Sequence, residues 1–235
     1  MTRIVSVSSK LGILIAGDSL GTFHGSPIDF AQSKVFPFLR RFGIGVYGTG
    51  EVDGNGSVYS FLRAYEDLLD ENQSGEMSLQ DVAKAIGNRL LTQRWRSLIG
   101  QKEFITDDEF NEFYGGMFQA VHVVGYQDGQ PTICRVTIRI KAQMFGKDET
   151  FDKDGFCYFP STDREFFELF APPAVVVNQD NAIASPLFQD IPDMRTYAIS
   201  LIKNAAETDS TVGGNINVGL ITLTSGFSWL ESEPS

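Results

Sequence analysis

The chain has 235 residues and a formal net charge of −11, with 42% hydrophobic and 21% charged side chains. This composition is typical of a globular protein, predicts one domain over residues 1–235, and excludes disordered and fibrous classes. The acidic balance argues against a nucleic-acid partner, because such binding depends on Lys and Arg displacing counterions. Without a signal-peptide pattern or an apolar run of roughly 20 residues, we expect a cytoplasmic protein with no membrane partner.

The N-terminal half begins as a sheet and continues as helices. Turn residues separate four runs of strand-like composition: Ile4 to Val7, Leu11 to Ala16, Lys34 to Phe38, and Phe42 to Tyr47. A helix is predicted near Val58 to Leu69. A second helix is predicted to start at the capping box Ser78-Leu-Gln-Asp81, because apolar residues follow it at helical spacing.

Strand patterns return in the C-terminal half. From Met117 to Ile140, two alternating runs flank Asp128-Gly129, which is a strong hairpin signal. A last helix is predicted from Asp193 to Ala206. It precedes a terminal hairpin of Asn217 to Leu223 and Phe227 to Leu230, turned by Ser225-Gly226.

Three segments carry no clear pattern. Gly100 to Gly116 and Pro160 to Asp190 are left as loops or subunit contacts, and Glu231 to Ser235 is expected to be a frayed tail. Strands at both ends with helices between them favour an α+β fold. Its expected architecture is a four-layer αββα sandwich, in which helices flank two mainly antiparallel sheets.

Several common kinds of site are absent from the sequence. The two histidines, His24 and His122, form no HExxH pair, and there is no GxSxG or Walker motif. His122 alternates with strand residues and is expected to be a packed or rim residue. The run from Asp152 to Gly155 lacks the ligand spacing of an EF-hand and is interpreted as a turn. Cys134 and Cys157, which lack CxxC spacing, are expected to be reduced, and no metal or cofactor is predicted.

The start of the chain carries a different chemistry. Removal of Met1 would leave Thr2 with both a hydroxyl and a free α-amine. An α-amine has a pKa of roughly 7.7 to 8.0, so it can act as a general base near neutral pH. One residue would then supply both the nucleophile and its base.

Four segments, taken in order, resemble the N-terminal-threonine type of the proteasome β-subunit family and its bacterial relatives: Thr2-Arg-Ile-Val-Ser-Val7, Gly12-Ile-Leu-Ile-Ala-Gly-Asp-Ser19, Ser33-Lys-Val-Phe-Pro37 and Gly45-Val-Tyr-Gly48. Counted from Thr2, Asp18 is 16 residues on, Lys34 is 32 on and Gly48 is 46 on. These are the places where that family has an Asp, a Lys and an oxyanion-hole Gly. The resemblance implies the N-terminal-nucleophile (Ntn) hydrolase fold.

The resemblance also implies a role for each of these residues. Thr2 attacks a peptide carbonyl and forms an ester intermediate, Lys34 is held as an ammonium ion by Asp18 beside the nucleophile, and the Gly48 N–H donates to the oxyanion. Asp209, in Asp209-Ser-Thr-Val-Gly-Gly214, matches the Asp that orients the terminal residue in the family.

The resemblance is less complete for the residues around the central set. Thr22 and Gly48 would lie beside an extended substrate backbone, and Val46 at the base of the pocket for the side chain preceding the cut. Val212 occupies the place of a family serine, and the family's Gly-Ser-Gly segment is not visible around Phe156 to Pro160. The shell that supports the central residues therefore departs from the family pattern.

Taken singly, Asp18, Lys34 and Gly48 are more typical of a turn, a solvated charge and a backbone bend. Taken together, they predict a threonine-type peptidase acting on peptides or unfolded proteins. Family members form rings or open spirals, so a homo-oligomer is expected, with the aromatic segment from Phe166 to Phe170 as a candidate contact. Two alternatives stay open: an inactive scaffold or binding ring, if Met1 is retained, and hydrolysis of small-molecule amides on the same fold.

Overall fold

The computed structural model describes residues 3–23, 26–31, 33–48, 58–69, 77–102, 104–113, 118–139, 150–151, 157–158, 167–170, 175–178 and 181–231. In these ranges the chain forms two main antiparallel sheets, two small two-stranded sheets and four helices. None of these helices is long and apolar enough to cross a membrane.

The first main sheet has six strands and contains both the start of the chain and its last strands. Its strands, from one edge to the other, are β13 (Asn181–Ala184), β12 (Val175–Asn178), β1 (Ile4–Ser9), β2 (Gly12–Asp18), β14 (Ile216–Thr222) and β15 (Gly226–Glu231). Every pair of neighbours is antiparallel.

The second main sheet has five strands, and each pair of neighbours is again antiparallel. From edge to edge they are β11 (Phe167–Phe170), β8 (Gln130–Arg139), β7 (Phe118–Gln127), β6 (Phe42–Gly48) and β5 (Val35–Phe38). The two small sheets pair β3 (Leu20–Phe23) with β4 (Ser26–Ala31), and β9 (Thr150–Phe151) with β10 (Cys157–Tyr158).

Three apolar clusters show how the layers pack. The helices are α1 (Val58–Leu68), α2 (Leu79–Lys102), α3 (Asp107–Phe113) and α4 (Ile191–Thr208). One cluster joins α1, α2 and α3 to the second sheet, one fills the space between the two sheets, and one joins α4 to the first sheet. The described residues therefore form layers in the order helix, sheet, sheet, helix, as expected.

Two local predictions are confirmed in detail. Asp128 and Gly129 have φ values of 51° and 74° between the paired residues Gln127 and Gln130, which is the two-residue turn that a tight hairpin needs. Ser78 and Asp81 cap α2 reciprocally: the Asp81 N–H donates to Ser78 Oγ at 3.1 Å, and the Ser78 N–H donates to Asp81 Oδ2 at 3.2 Å.

The expectation of a loop from Gly100 to Gly116 is wrong for the described residues that form helices. Helix α2 continues to Lys102, and α3 begins behind a second capping box, in which the Thr106 N–H donates to Glu109 Oε2 at 2.8 Å and the Glu109 N–H donates to Thr106 Oγ1 at 3.3 Å. The spacing from Thr106 to Glu109 carried this signal.

The expectation of loops from Pro160 to Asp190 is wrong for β11, β12 and β13. These short strands depend on distant partners, since β12 pairs with β1 and β11 pairs with β8. The hairpin of β3 and β4 was not predicted. Glu231, assigned to the frayed tail, ends β15. The turn expected from Asp152 to Gly155 lies outside the described residues, as does Phe166.

Asp190 makes the first turn of α4 a measurable contributor to stability. Its carboxylate accepts the N–H of Asp193 at 2.8 Å, which satisfies one of the helix's free donors. We expect Asp190→Ala to lower the free energy of unfolding by about 1 kcal/mol in urea titrations. Glu207→Ala removes the same charge from the exposed last turn and should change it by less than about 0.5 kcal/mol. Equal losses in the two variants would contradict this role for Asp190.

Candidate functional site

Asp18 is the centre of a buried cluster of hydrogen bonds at the end of β2. Its side chain is 0% exposed. Oδ1 accepts the Arg3 backbone N–H at 2.7 Å, and Oδ2 accepts both Lys34 Nζ at 2.9 Å and the Gly213 N–H at 3.2 Å. One carboxylate therefore ties together the start of β1, the residue preceding β5 and the turn after α4. We call Asp18, Lys34, Arg3 N and Gly213 N the Asp18 cluster.

Lys34 is placed in this cluster by the pairing of the second sheet. Its carbonyl accepts the Val46 N–H at 2.8 Å, which fixes its backbone beside β6. Its Nζ donates to Asp18 and, at 2.6 Å, to the Leu20 carbonyl, and the residue is 7% exposed. Burial lowers the pKa of Lys34, while the charge of Asp18 and its hydrogen bond act in the opposite direction. The ammonium ion is thus desolvated but has two strong acceptors.

The turn after α4 is bound to the end of β2 through both the N–H and the carbonyl of Gly213. Besides the Gly213 N–H bond to Asp18, the Gly213 carbonyl accepts the N–H of Ser19 at 3.2 Å and that of Leu20 at 2.9 Å. Gly213 and Asp18 are 195 residues apart in sequence. Pairing of β14 with β2, in which Ile216 lies opposite Asp18, brings the two segments together.

Asp209 lies at the C-terminal end of α4, at the start of the same turn. Its Oδ1 accepts the backbone N–H and the hydroxyl of Thr211, and these two bonds, with a smaller contribution from the charge of Arg3, lower the pKa of Asp209. Val212 is 5% exposed and packs in the apolar cluster beneath α4. It offers methyl groups where the family pattern has a hydroxyl.

Gly48 ends β6 on the same side of the sandwich as Lys34. It is exposed and has a φ of 94°, a backbone conformation that a residue with a side chain rarely adopts. Val46, two residues earlier, is 6% exposed and packs in the cluster between the second sheet and its helices. Thr22 lies in β3 opposite Pro27.

Thr2, the predicted nucleophile, and His24 lie outside the described residues. The residue after Thr2 is described: Arg3 accepts the Asp18 N–H at its carbonyl at 3.3 Å and donates its own N–H to the Asp18 carboxylate. The structure therefore brings together Asp18, Lys34 and the peptide nitrogen of Arg3, with the Asp209 to Gly214 turn alongside.

Three polar groups in or next to the Asp18 cluster were not identified from the sequence. They are the Arg3 N–H, the Leu20 carbonyl and the Gly213 N–H, all of them backbone atoms. Backbone groups leave no trace in the residue type, so no sequence signal marks them. Ser19, a buried side chain next to Asp18, was also missed, although its position after Asp18 was a usable clue.

His122 is packed between the sheets, as expected. It is 0% exposed, its Nδ1 lies 2.8 Å from the Ser6 hydroxyl on the opposite sheet, and its ring meets that of Tyr47 edge to face with centroids 5.5 Å apart. Nε2 has no hydrogen-bond partner among the described residues. Burial, with the nearby charge of Arg135, lowers the pKa of His122 to about 3, so the imidazole is neutral at physiological pH.

A cavity of about 510 Å³ opens at the other end of the sandwich. It is lined by the turns that follow β5, β7 and β14 and by the start of α2. None of the predicted site residues lines it. Cys134 is buried and is not part of a disulfide bond among the described residues. Within the described ranges, no three His, Cys, Asp or Glu side chains are grouped so that they could hold a metal ion.

No protein-family model matches the sequence, and a search of curated proteins returns no match. The Asp18 cluster and the resemblance of the sequence to the proteasome β-subunit family are therefore the observations that bear on function.

Proposed function

We propose that the protein is a threonine-type hydrolase that cleaves peptide bonds, with Thr2 as its nucleophile after removal of Met1. The observation that carries this proposal is the Asp18 cluster, in which one buried carboxylate binds both Lys34 Nζ and the peptide nitrogen of Arg3. Thr2 is joined to that nitrogen by its own carbonyl carbon. A terminal residue in this position has an ammonium group and a buried carboxylate close by.

The Asp18 cluster supports a distinct role for each group in the proposed reaction. The α-amine of Thr2 takes the proton of the Thr2 hydroxyl, directly or through water, as Oγ1 attacks the substrate carbonyl. The Lys34 ammonium stabilises the negative charge that develops at this oxygen. The amine then gives its proton to the leaving amine of the substrate, which leaves an ester on Thr2, and water hydrolyses the ester.

Other residues are assigned roles on the substrate side. The N–H of Gly48 would donate to the oxyanion. Gly48 ends β6 two residues after Val46, whose N–H binds the Lys34 carbonyl, and a side chain there would obstruct the substrate carbonyl. Thr22 and Val46 would contact the substrate backbone and the side chain before the cut. Asp209 would orient Thr2. The layered sheets and helices are compatible with the Ntn-hydrolase fold, and assembly into a homo-oligomeric ring or spiral belongs to the same proposal.

The experiment compares one protein before and after its terminus is freed. A removable N-terminal extension is fused directly to Thr2, and its removal is verified by intact mass. We expect hydrolysis of fluorogenic peptides, and covalent labelling of Thr2 by an electrophilic peptide, only after removal, because an amide nitrogen at residue 2 cannot act as the base. Thr2→Ala, processed identically, is the matched control and should show neither.

Equal peptide cleavage by the extended and processed forms would overturn the proposal, as would cleavage by Thr2→Ala at the wild-type rate. Intact mass of the protein from its natural source shows whether Met1 is removed there. A substrate panel that includes small amides distinguishes a peptidase from a small-molecule amide hydrolase.

An inactive scaffold is the second candidate, and Val212 favours it. This valine is buried in the place of the serine that the family pattern would put beside the terminal amine. A scaffold predicts a stable homo-oligomer by light scattering together with no labelling of Thr2 after removal of the extension. A labelled Thr2 would exclude it.

A further inference from the structure

The cavity at the end of the sandwich opposite the Asp18 cluster has the size of a small-molecule site. Its volume is about 510 Å³, within the range of about 300 to 1,000 Å³ that is typical of ligand pockets. Apolar residues are part of its walls, among them Leu39, Leu79 and Leu223, and Leu223 is 62% exposed. Because none of the proposed catalytic residues lines this cavity, its shape and chemistry need an explanation of their own.

Backbone contacts hold the turn between β5 and β6 in the cavity wall. The Arg40 carbonyl accepts the Phe227 N–H at 2.8 Å, and the Leu39 N–H donates to Glu66 Oε1 at 2.7 Å. Gly226 approaches this turn so closely that a Cβ placed on it would lie 2.3 Å from the Arg40 carbonyl oxygen. Two turns of the wall are therefore fixed against each other, and a preformed site loses less conformational entropy when a ligand binds.

The same turn has unusual residue types for its backbone conformation. Leu39 and Arg40 have φ values of 50° and 57°, and consecutive positive φ values in a hairpin are normally supplied by Asn-Gly or Asp-Gly, as at Asp128-Gly129. Residues held in such a conformation are found preferentially at ligand sites and other functional positions. Leu39 packs against the apolar cluster of α1, α2 and α3. Arg40 is exposed at the cavity, so packing does not explain an arginine there.

The cavity is cationic although the chain as a whole is acidic. Among the described residues, the charged side chains in its walls are two cations, Arg40 and Arg41, and one anion, Asp128, whereas the chain has a net charge of −11. Arg41 is held in place, since its Nη2 donates to the Met77 carbonyl at 2.8 Å and its guanidinium carbon lies 4.8 Å from the centre of the Phe42 ring. Such a site attracts an anion, and the negative field of the rest of the chain favours one with a single charge.

We infer that this cavity binds a small organic acid with a single carboxylate and an aromatic or branched aliphatic body. The carboxylate binds the Arg40 guanidinium, with which it can form two parallel hydrogen bonds. The body of the acid lies against the apolar part of the wall, including Leu223, and removes it from water. This site is separate from the Asp18 cluster, and its occupation does not depend on the proposed hydrolysis.

Calorimetric titration of the whole chain with N-acetylphenylalanine tests this inference, because the probe joins one carboxylate to an aromatic body. Its amide, N-acetylphenylalaninamide, has nearly the same shape without the charge and should bind about tenfold more weakly. Arg40→Gln should weaken binding of the acid about tenfold and leave binding of the amide unchanged. Leu223→Ser should weaken binding of both probes about threefold, since it acts on the apolar body. Lys203→Gln removes an exposed cation from α4, outside the cavity, and should change neither affinity.

Equal affinities of the wild-type protein for the acid and its amide would overturn the inference, and so would binding of neither. This comparison uses only the wild-type chain, so it does not depend on whether a variant folds. Equal losses of affinity in Arg40→Gln and Lys203→Gln would place the acid elsewhere on the protein and would also overturn it. Inorganic phosphate that binds as tightly as the acid would contradict the assigned ligand class, because phosphate has no apolar body. The titration involves no turnover, so its result is independent of whether Thr2 is a nucleophile.

Discussion

Asp18→Ala is expected to lower the free energy of unfolding by about 3 to 5 kcal/mol, the usual cost of removing one member of a buried ion pair. The variant leaves the Lys34 ammonium 7% exposed without its anion, and it takes the acceptor from the N–H groups of Arg3 and Gly213. Both backbone donors are partly buried and would lose their present acceptor, which adds to the cost.

Urea titrations followed by circular dichroism measure this loss, with the m-value checked for two-state behaviour. Arg63→Ala, which removes a cation from the solvent-exposed pair with Glu66, is the comparison for burial and should cost less than about 1 kcal/mol. Asp18→Ala combined with Lys34→Met should be more stable than Asp18→Ala alone, because no buried charge is left without a partner. A loss for Asp18→Ala no greater than that for Arg63→Ala would contradict the prediction.

This stability effect does not depend on Thr2. The bonds within the Asp18 cluster are made by Arg3, Lys34 and Gly213, so the extended and processed forms should lose the same free energy. A loss confined to the processed form would mean that the free terminus, and not the ion pair, supplies the stability. The measurement therefore tests the cluster independently of catalysis.

Acidification should destabilise the protein through His122. Its pKa is about 3 in the folded protein and roughly 6.5 in an unfolded chain, so the unfolded chain binds a proton first as the pH falls. The stability that neutral His122 contributes is complete above pH 6.5 and is lost as the pH falls from 6.5 toward 3. Linkage gives a loss of about 2 kcal/mol at pH 5 and about 4 kcal/mol at pH 3.

The physical cause is the position of the ring between two sheets. An imidazolium there would have no water around it, would face the charge of Arg135, and could satisfy its second N–H only by rearrangement of the apolar layer. The contact with Ser6 links the two sheets at this point, so protonation acts on the packing between them.

Unfolding free energies at pH 8, 6, 5 and 4 test this in a His24→Gln background, which leaves His122 as the only histidine. His122→Asn keeps an acceptor or donor near the Ser6 hydroxyl but has no titrating group, so its profile should be flatter by about 2 kcal/mol between pH 8 and 5. Parallel profiles for the two proteins would contradict the assignment, as would an imidazole signal that titrates near pH 6.5 in the folded protein.

Local signals in the sequence were sufficient for much of the fold. The Asp128-Gly129 turn and the Ser78 capping box are set by residues within a few positions of each other, so both were predicted correctly. Short strands without such signals were missed. Strand β12 pairs with β1, which lies more than 160 residues earlier in the chain. The residues near Val175 to Asn178 carry no sequence signal that predicts this partner.

The candidate site, like the fold, could be predicted from the sequence only in part. The spacing of Asp18, Lys34 and Gly48 was enough to predict them as site residues. Asp18 and Lys34 are in contact in the fold. The backbone groups of Arg3, Leu20 and Gly213 were not predictable, because any residue type supplies an N–H and a carbonyl. Ser19 was overlooked because a serine after an aspartate is ordinarily a turn residue.

The sequence by itself determined the Asp128-Gly129 turn and the capped start of α2, since each depends on short-range chemistry, and it supplied the ionisable residues. Tertiary structure decided the burial and the hydrogen-bond partners of those residues. Lys34 would be a solvated surface charge on an isolated strand. In the fold, its ammonium group binds the Asp18 carboxylate and the Leu20 carbonyl, where segments of the two sheets meet. Exclusion of water from that junction gives the charges their strength, and it arises only when segments distant in the chain pack together.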